Sequence, residues 1–268
     1  MKNVMEHIKA RRSVRTFDGQ PIGEEVKEKL LLCMKEIENP FQIPVGFTFM
    51  SAKENGLLCP VVSGADLYVG GKIKNVPWAN AAFGYSFEKF VLIAQSLGLG
   101  TVWLGGTMNR AAFEKATGLG EDEMMPCASP VGYPAEKMSV REVMMRKGIK
   151  ADERLDFEEL FFDGSFEMPL TKENAKELTV LLEMVRLAPS AVNKQPWRVV
   201  IRDHKAHFYL KRSKGFGYDK LDMQMIDMGI ALCHFDLAAK ANNLQAVFVQ
   251  EDPGLTADME YVASYKIL

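Results

Sequence analysis

Three short stretches carry residue types suited to holding a small ligand. Residues 11–15 read RRSVR. In an extended segment side chains alternate, so Arg11, Ser13 and Arg15 project to one side while Arg12 and Val14 face the other. Guanidinium groups offer paired donors that match phosphate oxygens, and the serine hydroxyl adds a neutral donor. The alternative for the same residues is a solvated cationic helix end, which the macrodipole favours. Residues 188–197 read APSAVNKQPW, where Pro189 breaks a helical run and leaves Ser190, Asn193 and Gln195 near a turn. Their side chains donate and accept at once, which suits the edge of a planar heterocycle; the alternative is capping and turn formation, with Trp197 as a core anchor. Leu104, Gly105 and Gly106 form the third stretch, where glycine lets a flat ligand approach the backbone and take an N–H hydrogen bond. Gly98-Leu99-Gly100 does not extend to GxGxxG, because Trp103 stands at the third glycine position, and it follows a helix rather than opening one. A dinucleotide-binding Rossmann turn is therefore disfavoured.

Other reactive types point elsewhere. Cys33, Cys59, Cys127 and Cys233 are far apart, with no CxxC or Cys/His metal spacing, and read as buried free thiols. His7, His204, His207 and His234 read as satisfied or solvent-facing, with His204 and His207 marking a hairpin turn and His234 inside an apolar helix. A net charge of -2 gives no broad basic surface for nucleic acid, though a small anion remains possible. No apolar run approaches the ~20 residues of a membrane span, and the sequence predicts a cytoplasmic protein in a reducing compartment.

The elements that must position these stretches recur. A helix is predicted over 23–37, strands over 46–52 and 65–73, a long apolar helix over 79–97, then a glycine-rich turn and a strand within MMPCASPVGY. The same order returns with a helix over 171–187, strands WRVVIRD and AHFYLKR, a long apolar helix over 226–243, and closing strands QAVFVQ and MEYVASYKI. TFDGQPI at 16–22 echoes FFDGSFEMPL at 161–170. The pattern predicts an α+β chain of two fused half-repeats, residues 1–160 and 161–268, with mostly antiparallel sheets and long central apolar helices. The copies differ in kind. Arg11, Arg12, Ser13 and Arg15 have the acidic counterpart Asp156, Glu158 and Glu159, the glycine-rich loop exists only in the first copy, and APSAVNKQPW only in the second. Each copy keeps a different part of one site.

RRSVRTFDGQPI, APSAVNKQPWRVVI, SLGLGTVWLGG and VGYPAEK together resemble the FMN-dependent nitroreductase family, in a duplicated single-chain branch. Members of that family are homodimers whose flavins lie at the interface; here one chain would suffice as a pseudo-dimer. The resemblance implies that Arg11, Arg12, Ser13 and Arg15 hold the FMN phosphate and ribityl end, joined by Arg154 or, as second choice, Lys150. It implies that Pro189, Ser190, Ala191, Asn193 and Gln195 line the flavin and that Leu104, Gly105 and Gly106 form the loop at its N5 region. The activity implied is NAD(P)H oxidation with ping-pong hydride transfer through flavin N5 to an electron-poor small molecule, NADH or NADPH being the donor. The runner-up is a flavin-binding storage or sensor protein without efficient NAD(P)H turnover. No protein acid or base and no metal are expected.

Overall fold

The computed structural model describes residues 2–214, 221–255 and 258–268. In chain order its elements are α1 (Val4–Ala10), α2 (Glu24–Lys35), β1 (Val45–Ser51), α3 (Ala52–Asn55), β2 (Leu67–Lys74), α4 (Ala79–Ser96), β3 (Gly100–Thr101), α5 (Arg110–Thr117), β4 (Glu123–Met124), β5 (Ala128–Gly132) and α6 (Val140–Gly148). They continue with α7 (Phe157–Leu160), β6 (Phe161–Asp163), α8 (Lys172–Ala175), α9 (Leu178–Arg186), a 3₁₀ turn (Ala191–Asn193), β7 (Trp197–Arg202), β8 (Lys205–Leu210), α10 (Met223–Ala241), β9 (Ala246–Val249) and β10 (Glu260–Ile267).

Alternating apolar residues set two sheets. One runs β1-β2-β5-β3, with β4 also pairing β2; the other runs β6-β7-β8-β10-β9. Every pairing between these strands is antiparallel except β6 with β7, where Phe161 faces Val199. The α+β class with mostly antiparallel sheets is as the sequence predicts.

Helices α4 and α10 are apolar on every face, so both must be buried, and they pack on each other at the centre. Two glycines let them touch. A Cβ on Gly229 would sit 2.0 Å from the Ala81 carbonyl oxygen, and one on Gly84 would sit 2.0 Å from that of Ile226. One continuous core cluster, from Val4 and Ile8 through Phe83 and Phe87 to Leu232, Phe235 and Tyr265, joins both sheets to this helix pair. A smaller cluster around Met50, Tyr68, Phe113 and Met125 underlies the glycine-rich loop.

Three expectations need correction. The helix predicted over 171–187 is two, α8 and α9, because Lys176 takes φ 51° and interrupts the ladder. Cys33 is exposed on α2 and Cys59 is only half-buried; Cys127 and Cys233 are buried, and none of the four is in a disulfide. The hairpin turn is made by Asp203 and His204, both at positive φ, while His207 is buried within β8, its Nδ1 2.7 Å from Ser264 Oγ. Among the described residues no helix is long and apolar enough to cross a membrane.

Candidate functional site

The 11–16 segment leaves α1 in extended conformation and is held from two sides. Ser13 bridges Thr101 of β3, and Val14 N donates to the Thr101 carbonyl at 2.9 Å. From the other side comes Glu142 of α6, a helix that starts on the Ser139 cap. Glu142 is 1 % exposed; its carboxylate accepts from Arg12 Nη1 (3.0 Å), Arg15 N (3.2 Å) and Thr16 Oγ1 (2.8 Å). Three donors supply the partners that a buried carboxylate requires. Arg12 is thus paired through Nη1, yet it lines the cleft beside Arg11 and Ser13, so alternation along the segment does not keep it away, while Val14 is buried.

Facing them, APSAVNKQPW is a strained turn. Val192, Asn193 and Gln195 have φ of 51°, 55° and 47°, and for the β-branched Val192 the left-handed region is costly. Hydrogen bonds enforce it. Gln195 N donates to Ser190 Oγ (2.9 Å), Gln195 Oε1 accepts from Leu155 N (3.0 Å), and Asn193 Nδ2 donates to the carbonyls of Lys150 (2.7 Å) and Glu153 (3.0 Å). The amides of Asn193 and Gln195 therefore clasp the 150–155 loop, and that clasp delivers Arg154, whose Nη1 lies 3.4 Å from Asn193 Oδ1.

The result is a cleft with two adjoining compartments. Arg11, Arg12, Ser13, Arg146, Arg154, Pro189, Ser190 and Asn193 line the outer one. Ser13, Arg15, Val102, Trp103, Ser190, Ala191, Met223 and Asp227 line the inner one. Trp197 and Gln195 lie beneath, buried. Lys150 is not at the cleft: its ammonium pairs with Glu153 Oε2 at 3.0 Å on the surface. Leu104 is a core residue whose N–H and carbonyl are both spent on Ala128. Gly105 is covered by Met223, whose methyl lies 2.7 Å from where a Cβ would be. Its carbonyl, with those of Met125 and Pro126, accepts from Arg110, which fixes the loop.

Arginines outnumber the carboxyl groups Asp152 and Asp227 in the cleft lining. Burial depresses the Arg11 and Arg15 guanidinium groups below their ordinary range and brings Arg154 down to about 10. Glu88 opposes the shift at Arg11, and Glu142 opposes it at Arg15. Arg11 Nε, Arg15 Nε and Nη1, and Arg154 Nε are buried without a hydrogen-bond partner among the described residues. Orphaned buried donors are costly, and a cluster of them marks a place built to receive acceptors.

Behind the cleft, Glu88 of α4 joins both compartments. It is fully buried; its Oε2 accepts from Trp103 Nε1 (3.2 Å), and its Oε1 lies 3.0 Å from His234 Nε2 and 3.8 Å from Arg11 Nε. His234 Nδ1 donates to the Met184 carbonyl at 2.8 Å, so this histidine is satisfied, as expected of a residue in an apolar helix. Sequence reasoning missed Glu88, Arg146, Glu142, Trp103, Met223 and Asp227. For Glu88 and Asp227 a signal existed: each is an acidic residue within a mostly apolar helix, a placement that needs a reason. Among the described residues, no group of three or more His, Cys, Asp or Glu side chains could hold a metal ion.

Known proteins share this fold. A family model described as "Putative TM nitroreductase" matches residues 3–239. A Thermotoga maritima protein described as a nitroreductase superposes with a TM-score of 0.64 at 18% identity, over 99% of this chain and 93% of its own, which shows a common fold. A Bacteroides fragilis nitroreductase with bound FMN (TM-score 0.42, 21% identity) matches 52% of this chain and 92% of its own. An iodotyrosine deiodinase bound to FMN and 3-iodo-L-tyrosine (TM-score 0.44, 16% identity) matches 51% of this chain and 92% of its own. No curated protein matches.

Proposed function

The chain belongs to the nitroreductase family that the match over residues 3–239 defines, and on that premise we propose that it is an FMN-dependent NAD(P)H oxidoreductase reducing electron-poor small molecules. The observation that carries this reading is that Arg11, Arg15 and Arg154 all line one cleft while keeping buried guanidinium N–H groups that have no hydrogen-bond partner among the described residues. They fit FMN. A dianionic phosphate supplies the acceptors they lack, with Arg11, Arg12, Ser13 and Arg154 around it in the outer compartment. Arg146, already paired with Asp152, adds charge nearby.

The ring belongs to the inner compartment, against Trp103, Pro189, Ser190 and Ala191, with Arg15 supplying positive charge at its edge. Met223 is the flexible side chain that yields there: an unbranched thioether laid over Gly105 moves at little cost and uncovers that backbone. Bound FMN supplies a ring that accepts a hydride equivalent from a reduced nicotinamide and passes it to an acceptor. The chain's own residues bind the phosphate, orient the ring, and exclude water through the apolar wall of Val102, Ile226 and Ile230.

Residues 1–160 and 161–268 act in this reading as two fused repeats, each contributing half of the cleft. Support comes from the two sheets, the paired helices α4 and α10, and the origin of Arg11, Ser13 and Arg15 in one half and Ser190 and Ala191 in the other. The test is reconstitution with FMN followed by anaerobic addition of NADH or NADPH. Expected are one FMN per chain and rapid bleaching of the flavin absorbance; an FMN that stays oxidised would leave a flavin-storage protein. Two FMN per chain would refute the shared cleft.

A further inference from the structure

Asp227 is a buried acid in the wall of the inner compartment with half its hydrogen bonding unmet. It sits in the second turn of α10 and is 3 % exposed. Both its oxygens face a single donor, the Ala191 N–H, at 2.9 and 3.1 Å, and the described residues offer it no other partner. A carboxylate in this place would be two acceptor oxygens sharing one N–H with no cation, which the interior does not tolerate. A neutral acid fits better: one oxygen accepts from Ala191, and the other carries an O–H with no acceptor among the described residues.

The surrounding groups agree. Desolvation drives the Asp227 carboxyl well above the ordinary carboxylate range. From its own helix cap Asp222 pushes the same way, and Cys127 is the titratable neighbour from the segment before β5. Arg15, from the extended segment, lines the compartment but makes no ion pair with Asp227 among the described residues. The strained turn is thus pinned at Ala191 by the acid, and both Ala191 and Asp227 line the space where the ring is placed.

We infer that Asp227 is a further cofactor-binding residue: a neutral carboxylic acid whose O–H donates one hydrogen bond to an acceptor atom, a carbonyl oxygen or ring nitrogen, on the planar ring held in the inner compartment. The inference rests on the FMN reading above. A carboxyl kept neutral can donate where an ionised one cannot, and a neutral donor suits a ring acceptor beside the cationic Arg15 without adding repulsion.

The experiment titrates FMN into wild type, Asp227→Asn and Asp227→Leu by flavin fluorescence, with thermal melts of each apo protein as the folding control. Infrared spectra of the apo wild type and Asp227→Asn at neutral pH accompany it. Asparagine retains a donor, so its affinity should stay within about threefold of wild type, while leucine should weaken binding about tenfold, the value of one good hydrogen bond. The wild-type spectrum should carry a protonated-carboxyl band that Asp227→Asn lacks. Affinity unchanged in Asp227→Leu, asparagine as damaging as leucine in a protein that still folds, or no such band would each overturn the inference while leaving the FMN reading intact. Failure of the wild type itself to bind FMN would bring down both.

Discussion

Glu88→Gln asks whether the central helix pair and the cleft share one charge balance. Glutamine keeps the shape: its carbonyl can accept the Trp103 N–H, and its amide nitrogen stands opposite His234 Nε2. The carboxylate charge beside Arg11 is removed. Arg11, with its side chain 6% exposed, then loses the carboxylate 3.8 Å from its Nε. Two unit charges at that 3.8 Å separation attract by about 4 kcal/mol at an effective dielectric near 20. Removing one partner of a buried pair costs about 3–5 kcal/mol, so the two estimates agree. Arg146 and Arg154 make the loss harder to absorb, since both place like charge near Arg11. Urea unfolding of the apo protein followed by circular dichroism should therefore show a loss of about 3–5 kcal/mol. Saturating FMN should narrow that gap, because its phosphate returns a counter-charge to Arg11. An apo variant within about 1 kcal/mol of wild type would refute the reasoning. Glu88 would then be a spectator.

Further substitutions probe the fold and the cleft separately. Gly229→Ala drives a methyl into the Ala81 carbonyl oxygen, which belongs to a backbone that cannot swing away; a loss of about 3 kcal/mol is expected by thermal melting, against the ~1 kcal/mol gain that alanine brings to an open helix. Arg15→Ala should weaken FMN retention about tenfold or more, while Glu158→Gln, at an exposed position of α7, should leave it unchanged; equal losses by equilibrium dialysis would contradict the placement of the phosphate and ring. The Asp227 shift also fixes the sign of a pH effect. Its folded value lies above its unfolded one, so its contribution is fully present below about pH 4 and is lost as pH rises toward the folded value. Asp227→Asn should accordingly gain stability on wild type as pH rises from about 4 to 7, and parallel stability curves would count against a raised carboxyl.

Much of this protein is legible in its sequence because the signals are local. Alternation placed β1, β2, β7, β8, β9 and β10, and the two long apolar runs placed α4 and α10, since periodicity and length reflect how each segment meets its own core. Arg11, Ser13 and Arg15 line the cleft and Val14 does not, but Arg12, which alternation puts on Val14's side, lines it too; Ser190 and Ala191 come from the turn. The break at Lys176 escaped because it lies in a left-handed residue with no glycine to announce it. What only the tertiary structure decided are the contacts across long spans of chain. Glu142 reaches back to Arg12 and Thr16, the amides of Asn193 and Gln195 turn away from the ligand to hold the 150–155 loop, and Glu88 meets Arg11, Trp103 and His234. No spacing encodes such pairings. They exist because burying a charge or an amide obliges it to find partners, and packing α4 on α10 through Gly84 and Gly229 determines which partners are within reach.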